Sequence, residues 1–316
     1  MKYEEFVAAV CKDIRGFLPE RYTKTIIEPI HVDKVQKASY YGISVREENT
    51  GKGLSMDLAY WFSQVCEQGC CEYVAALQEI STAIHETFTT CRPDTSIISD
   101  YAAMRNFLTL QVVSTDKNEQ FLQTVPHTNQ LDLSIVYRFL TPEWSVVITN
   151  SLLEIYGVSL EQLHEDAMAN SPVKFPVHVQ GMNDFMKEFV WQGDSQMMNV
   201  PDFGMCLVTC ENGYGASALF YPGFLEQVAK RFRGKLFILP SSIHELILVP
   251  DDGEDVNGLK EIVSDVNDNS GAVTEEDFLS NSVYHYVDLC QYFEHKKLKG
   301  YADFFNSSSS FCCGVI

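Results

Sequence analysis

Ser241, Ser242, His244 and Glu245 stand together in the break between two apolar runs of "ILPSSIHELILVPDDGED", residues 238–255. A serine becomes a nucleophile when a base lies within hydrogen-bond reach and donors receive the oxyanion. In an extended chain Ser242 and His244 fall on one face, so the spacing permits contact. The hydrolase elbow Gly-x-Ser-x-Gly is absent, and a Pro-Ser-Ser turn between strands uses these residue types for its own geometry. The turn reading therefore takes precedence. Ser241, Ser242, His244 and Glu245, with His127 from an earlier segment, are expected as ligand or partner contacts, and no catalytic residue is assigned.

Other spacings that resemble chemical sites also reduce to structure. Cys66-x3-Cys70-Cys71, with His85 downstream, and Cys206-x3-Cys210 lack the two-residue spacing of zinc knuckles. Strand positions four apart lie about 13 Å from each other, too far for one tetrahedral ion. Asn212-Gly213-Tyr214-Gly215 has neither the third glycine nor the Lys-Ser/Thr of a phosphate loop, and is expected to be a hairpin turn. Cys313-Gly314-Val315-Ile316 fits a prenylation box only formally. No metal and no cofactor are expected, although Cys70 and Cys71, near a turn, are candidates for reactive thiols.

The elements that must position these residues follow from periodicity. Phe6, Val7, Val10, Ile14 and Phe17 form one stripe of a helix over 3–17, and Val74, Leu77, Ile80, Ile84 and Phe88 form another over 72–88. Between them "TKTIIEPIHVDKVQK", "SYYGISVRE" and "LSMDLAYWF" read as a meander of two or three strands. Asp100 or Ser99 caps a short helix from Tyr101, "FLTLQVVS" reads as a strand, and "KNEQFLQ" as one or two helical turns. "LDLSIVYRFL" and "SVVITN" form a hairpin, and two capped helices follow, the first ended by Gly157. Residues 171–200 read as irregular, with a helix at 183–190. "MCLVTC" and "ASALFY" read as a second hairpin, "PGFLEQVAKRF" and "DVNGLKEIVSDVN" as helices, and "KLFILP", "ELILVP" and "VYHYVD" as strands. Strands arrive in adjacent pairs with helices between the pairs, which predicts α+β with antiparallel sheets. The expected division is a helix-meander-helix unit over 1–96, a connecting segment over 97–130, an α+β domain over 131–290 and a flexible tail over 291–316.

Composition narrows the function classes. With 316 residues and 46% hydrophobic residues, the chain can bury a large core. The formal charge of −20 comes from 43 acids against only 23 bases, so it reflects missing Lys and Arg as much as surplus acid. A solvated acidic surface follows, and binding to nucleic acid through a basic face is excluded. The start carries Glu4 and Glu5 where a secretory leader would be basic, and no long uncharged apolar window occurs. A cytoplasmic protein with reduced thiols and no membrane contact is expected.

Six blocks in order, "MKYEEFVAAV", "VPHTNQLDLSIVYRFL", "ITNSLLEIYGVSLEQLHEDAMANSP", "GASALFYPGFLEQVAKRF", "LFILPSSIHELILVPDDG" and "FLSNSVYHYV", resemble domain-of-unknown-function family 5688, found in gut Firmicutes. Residues 125–288 are more distantly similar to YtpQ-like uncharacterised bacterial proteins. The resemblance implies a bacterial cytoplasmic protein and transfers no reaction, cofactor or site residue. The functional expectation is a non-enzymatic binding or accessory protein that acts through a protein partner. The alternatives are an enzyme with a site in a cleft between the two units and an acidic decoy of a nucleic-acid-binding protein.

Overall fold

The computed structural model describes residues 1–34, 37–48, 53–90, 97–141, 145–190, 204–211, 213–240, 242–253, 255–269, 273–288 and 313–315. The chain divides into two compact units, Met1–Ser99 and Asp100–Ile316.

The first unit begins with α1 (Tyr3–Asp13), continues through β1 (Thr25–Lys34), β2 (Lys37–Glu47) and β3 (Gly53–Asp57), and closes with α2 (Ala59–Phe62) and α3 (Tyr73–Thr90). The three strands form an antiparallel meander in sequence order. Phe6, Val7, Val10 and Ile14 from the start of the chain, Ile43 and Val45 from β2, and Leu77, Ile80 and Ile84 from α3 make one buried core. Two expectations change here. "AYWF" is the helix α2 rather than the end of a strand, and Val74, placed on the buried stripe of α3, is 54% exposed.

The second unit opens with α4 (Tyr101–Met104), β4 (Leu108–Ser114), α5 (Glu119–Leu122), β5 (His127–Gln130), β6 (Leu133–Leu140) and β7 (Ser145–Val147). Asp100 caps α4 by accepting from the Ala103 amide at 3.2 Å. The strand β6 is the centre of a small antiparallel sheet, flanked by β4 on one side and by β5 and then β7 on the other. Residues 108–114, expected within a connecting segment, are thus a fully buried strand of this unit.

Two helices follow, α6 (Asn150–Tyr156) and α7 (Leu160–Lys174), capped by the Thr149 and Ser159 hydroxyls, with Gly157 left-handed between them. The helix α7 covers the outer edge of β4: the Leu110 amide donates to Ser171 Oγ at 3.0 Å, and that hydroxyl donates to the Ala167 carbonyl at 2.6 Å. An open strand edge is a template for unwanted pairing, and this contact occupies it.

The remaining elements are β8 (Val177–Gly181), α8 (Met182–Val190), β9 (Cys206–Cys210), α9 (Phe224–Ala229), β10 (Lys235–Leu239), β11 (Glu245–Pro250), α10 (Val256–Asn269), β12 (Tyr284–Val287) and β13 (Cys313–Val315). They build a six-stranded antiparallel sheet in the order β13-β12-β10-β11-β9-β8. The α+β expectation holds, but three local expectations do not. Residues 177–181, read as irregular, are the strand β8 paired with β9. "ASALFY" is not a hairpin partner of β9, because Gly215–Phe220 is a 3-10 helix and β9 pairs instead with β11. Cys313–Val315, read as loose tail, pairs with β12.

One large core joins both sheets of this unit. Leu110, Val112, Ile135, Tyr137 and Phe139 of the small sheet share it with Val208, Leu236, Ile238, Leu246 and Leu248 of the large one. The opposite face of the small sheet carries polar groups bonded to one another, although Arg138 Nε is buried without a partner among the described residues. Arg138 Nη1 donates to Gln111 Oε1 at 2.6 Å and to the Tyr214 hydroxyl at 2.8 Å, and Ser134 Oγ donates to Asn129 Oδ1 at 2.8 Å.

Candidate functional site

The turn between β10 and β11 brings Ser242, His244 and Glu245 together, but in a different wiring from a nucleophile and its base. Ser242 is 2% exposed, and its hydroxyl donates to Glu245 Oε1 at 2.8 Å while accepting from the His244 amide at 3.0 Å. The His244 ring faces two other groups: Nδ1 lies 2.6 Å from the Gly213 carbonyl and Nε2 lies 2.9 Å from Asp277 Oδ1. Neither a carbonyl nor a carboxylate can donate, so both ring nitrogens must, and the protonated ring alone satisfies both. Burial pushes the His244 pKa down, yet the Gly213 carbonyl, the Asp277 carboxylate and the Glu245 charge together hold it above its ordinary value. A ring without a free lone pair is not a general base.

The same contacts explain the glycines that looked like a phosphate loop. Gly213 sits at φ 75° and turns its carbonyl to His244. A Cβ on Gly215 would stand 2.2 Å from the His244 carbonyl oxygen, to which the Gly215 amide donates. Ser242, His244 and Glu245 therefore close the chain around the turn. His127 stands elsewhere, half-buried on β5 with Nδ1 3.0 Å from the Val125 carbonyl. Ser241 lies outside the described residues. Cys70 is exposed, and its thiol donates to Gln64 Oε1 at 2.9 Å. Among the described residues no group of three or more His, Cys, Asp or Glu is arranged to hold a metal ion.

A cavity of about 400 Å³ opens instead on the apolar face of the small sheet, lined by Gln130, Leu131, Ile135, His164, Met168, Leu219, Phe220 and Leu225. None of the described residues singled out in the sequence lines it. Its volume falls in the lower part of the range for small-molecule sites, which are mostly apolar with a few placed polar groups. Behind one wall, starting from His164, runs a chain of three polar groups. Thr128 Oγ1 lies 2.9 Å from the Tyr137 hydroxyl, which lies 2.8 Å from His164 Nδ1. Tyr137 is fully buried, and burial holds its phenol pKa above the ordinary value, so the hydroxyl keeps its proton.

The rim is strained and pinned. The two-residue turn Leu131-Asp132 joins β5 to β6, and Leu131 takes φ 61°, a region that costs a leucine about 1–2 kcal/mol. Beside it, the Asp132 carboxylate accepts from Ser280 Oγ at 2.6 Å, from Ser282 Oγ at 2.9 Å and from the Tyr284 hydroxyl. Burial alone would raise the Asp132 pKa, but the hydroxyls of Ser280, Tyr284 and Ser282 reverse this and hold it below the usual value. Strain of this kind persists where neighbouring contacts over-determine the backbone, and it concentrates at ligand clamps.

A family model described as "Family of unknown function (DUF5688)" matches residues 3–288. The chain belongs to that family. No curated protein and no solved structure matches it.

In this DUF5688 chain the cavity residues escaped the sequence reading because each looks structural by itself. Two signals were present. A tyrosine within the apolar face of "LSIVYRFL" must find a partner when buried. His164 lies beside Leu163 and one turn before Ala167 and Met168, on the stripe that α7 turns inward. Neither signal says that the two meet across 27 residues.

Proposed function

We propose that this protein is a non-enzymatic binding protein whose second unit takes a compact, largely apolar ligand in the cavity beside β6. The observation that carries this reading is the cavity itself: six apolar side chains and two polar ones surround about 400 Å³ of space. The wiring of His244 supports the non-enzymatic part, since it uses that ring and Ser242 for closure of the turn. Among the described residues, six cysteines are free thiols, which supports the reducing, cytoplasmic setting that belongs to the same proposal. The protein partner expected from the sequence stays part of this reading, and exposed apolar side chains that a partner would cover stand in both units, Tyr60 and Val74 in the first and Ile155, Val173 and Ile262 in the second.

The test is a ligand-observed NMR screen of small apolar and aromatic fragments against the whole protein, repeated with Met168→Trp. Met168 lines the cavity and is only partly buried, so the larger side chain fills space without dismantling the core. Fragments that bind the parent are expected to lose at least tenfold in affinity with the variant. An empty screen, or hits that ignore Met168→Trp, would sink the reading.

A further inference from the structure

We infer that the cavity selects ligands that carry a hydrogen-bond acceptor on their apolar frame, with His164 Nε2–H as the donor that reads it. This rests on the cavity being a binding site, and it adds the chemistry of the ligand.

The protons along the chain behind the wall decide which ring nitrogen donates. The three groups form a line, Thr128 Oγ1, Tyr137 OH and His164 Nδ1, with separations of 2.9 Å and 2.8 Å. Two directions of donation are available. In the first, Thr128 donates to the Tyr137 oxygen, Tyr137 donates to Nδ1, and the ring proton resides on Nε2. In the second, Nδ1 carries the proton and donates to Tyr137, Tyr137 donates to Thr128, and the Thr128 proton must find another acceptor.

Among the described residues Thr128 has no second partner, so the second direction leaves a hydroxyl proton without an acceptor in a half-buried site. A buried polar group without a partner is costly, and the first direction leaves only one such group, Nε2–H, where the second leaves two, the Thr128 proton and the Nε2 lone pair. It also fixes the tautomer, because the bond made at one ring nitrogen decides what the other presents. The other nitrogen, Nε2, has no partner among the described residues, while the ring itself lines the cavity. The remaining lining groups are apolar except Gln130, whose side chain offers donor and acceptor alike. His164 is therefore the group that imposes a sign on recognition.

This wall differs from His244, where both ring nitrogens already have acceptors. The chemical class that fits is a small ring system or short branched chain bearing a carbonyl, ether or heteroaromatic nitrogen. A ligand whose only polar group is a donor-only N–H would gain nothing from a donor on the wall.

Three bicyclic probes of similar size separate the cases: quinoline offers an acceptor, indole a donor and naphthalene neither. Each is titrated at neutral pH into the full-length protein and into His164→Phe, which keeps an aromatic wall, by ligand-observed NMR. The quantity read is the ratio of the variant's Kd to the parent's for each probe, so intrinsic hydrophobicity cancels. Quinoline is expected to weaken about fivefold, the worth of one neutral hydrogen bond, with naphthalene and indole changing less than twofold. Tyr137→Phe, which removes the group that fixes the tautomer, is expected to lower the quinoline preference while naphthalene still binds.

A loss confined to indole would overturn the inference, since it would make the ring an acceptor. Equal losses for all three probes would overturn it too, as a packing effect. If no probe binds the parent, the cavity reading itself falls. If probes bind with flat ratios, only the selectivity falls.

Discussion

Two histidines in the second unit are held in opposite ways. His244 donates from one ring nitrogen to the Gly213 carbonyl and from the other to Asp277. His164 has one nitrogen fixed by Tyr137, and its ring faces about 400 Å³ of space. The first sits among serines and acids and looks chemical in sequence; the second sits in a capped helix beside the buried Leu163 and looks like packing. Polar residues close in sequence tend to satisfy each other, because local side-chain and backbone hydrogen bonds are the easiest to make. A polar group that reaches a cavity from a helix has only distant partners, and when just one of its two atoms is used, the other is left for a ligand. Clustering thus points to closure of a turn, and an incompletely used group beside open volume points to binding.

This comparison can be broken or sharpened by perturbing each side, and the largest effect is expected at the cavity rim. Asp132→Asn weakens three hydroxyl contacts to a charged acceptor and is expected to cost about 3 kcal/mol in urea unfolding. The folded-state pKa of Asp132 is lowered, so its contribution is complete above the ordinary carboxylate value and is lost as pH falls through the folded value. Parent and variant should therefore converge in acid. A deficit that persists unchanged at low pH would show that the carboxylate charge is not what pins the rim.

A smaller effect is expected at the closed histidine. Asp277→Asn removes the charged acceptor of a ring that is 45% exposed, so about 0.5–1 kcal/mol is expected after solvent screening. The His244 pKa is raised on folding, so its stabilisation is present below the ordinary value of 6.5 and is lost as pH rises through the folded value. The deficit of Asp277→Asn should be greatest in mild acid and vanish at alkaline pH. Probe binding at the cavity should not change; if it does, the two histidines are not independent and the contrast drawn here fails.

The smallest effect is expected from Leu131→Asn, because asparagine tolerates positive φ better than leucine. Relief of strain is expected to raise stability by about 0.5 kcal/mol, while probe affinity falls as an apolar rim contact becomes polar. A variant that loses both stability and affinity would mark Leu131 as ordinary packing and not as a residue kept strained for binding.

Much of the fold was legible in the sequence. The helix stripes of Phe6, Val7, Val10 and Ile14 and of Leu77, Ile80 and Ile84 are buried as periodicity demands. The hairpins β6-β7 and β10-β11 and the cap at Asp100 follow from alternation and capping chemistry. "ASALFY" was misread because its apolar content resembles a strand, whereas the close approach of Gly215 to the His244 carbonyl coils that segment into a 3-10 helix. The strand β8 was missed because "VHVQG" is too short to show a period, and its identity comes from pairing with β9.

The site was less legible than the fold. Local pattern found Ser242, His244 and Glu245, and their contact is real, but a pattern of residue types does not say which atoms are already used. The hydrogen-bonded chain behind the cavity joins Thr128 and Tyr137 on neighbouring strands to His164 on a helix, and no local signal links them.

By itself, the sequence determined most of the secondary elements, the α+β class and the family, because these depend on residue periodicity and on ordered blocks read along one chain. Tertiary structure alone decided which strands pair beyond the hairpins, that His244 is saturated by Gly213 and Asp277, and that His164 borders open space. Those outcomes depend on groups tens to more than a hundred residues apart meeting in three dimensions, as Asp132 meets Tyr284.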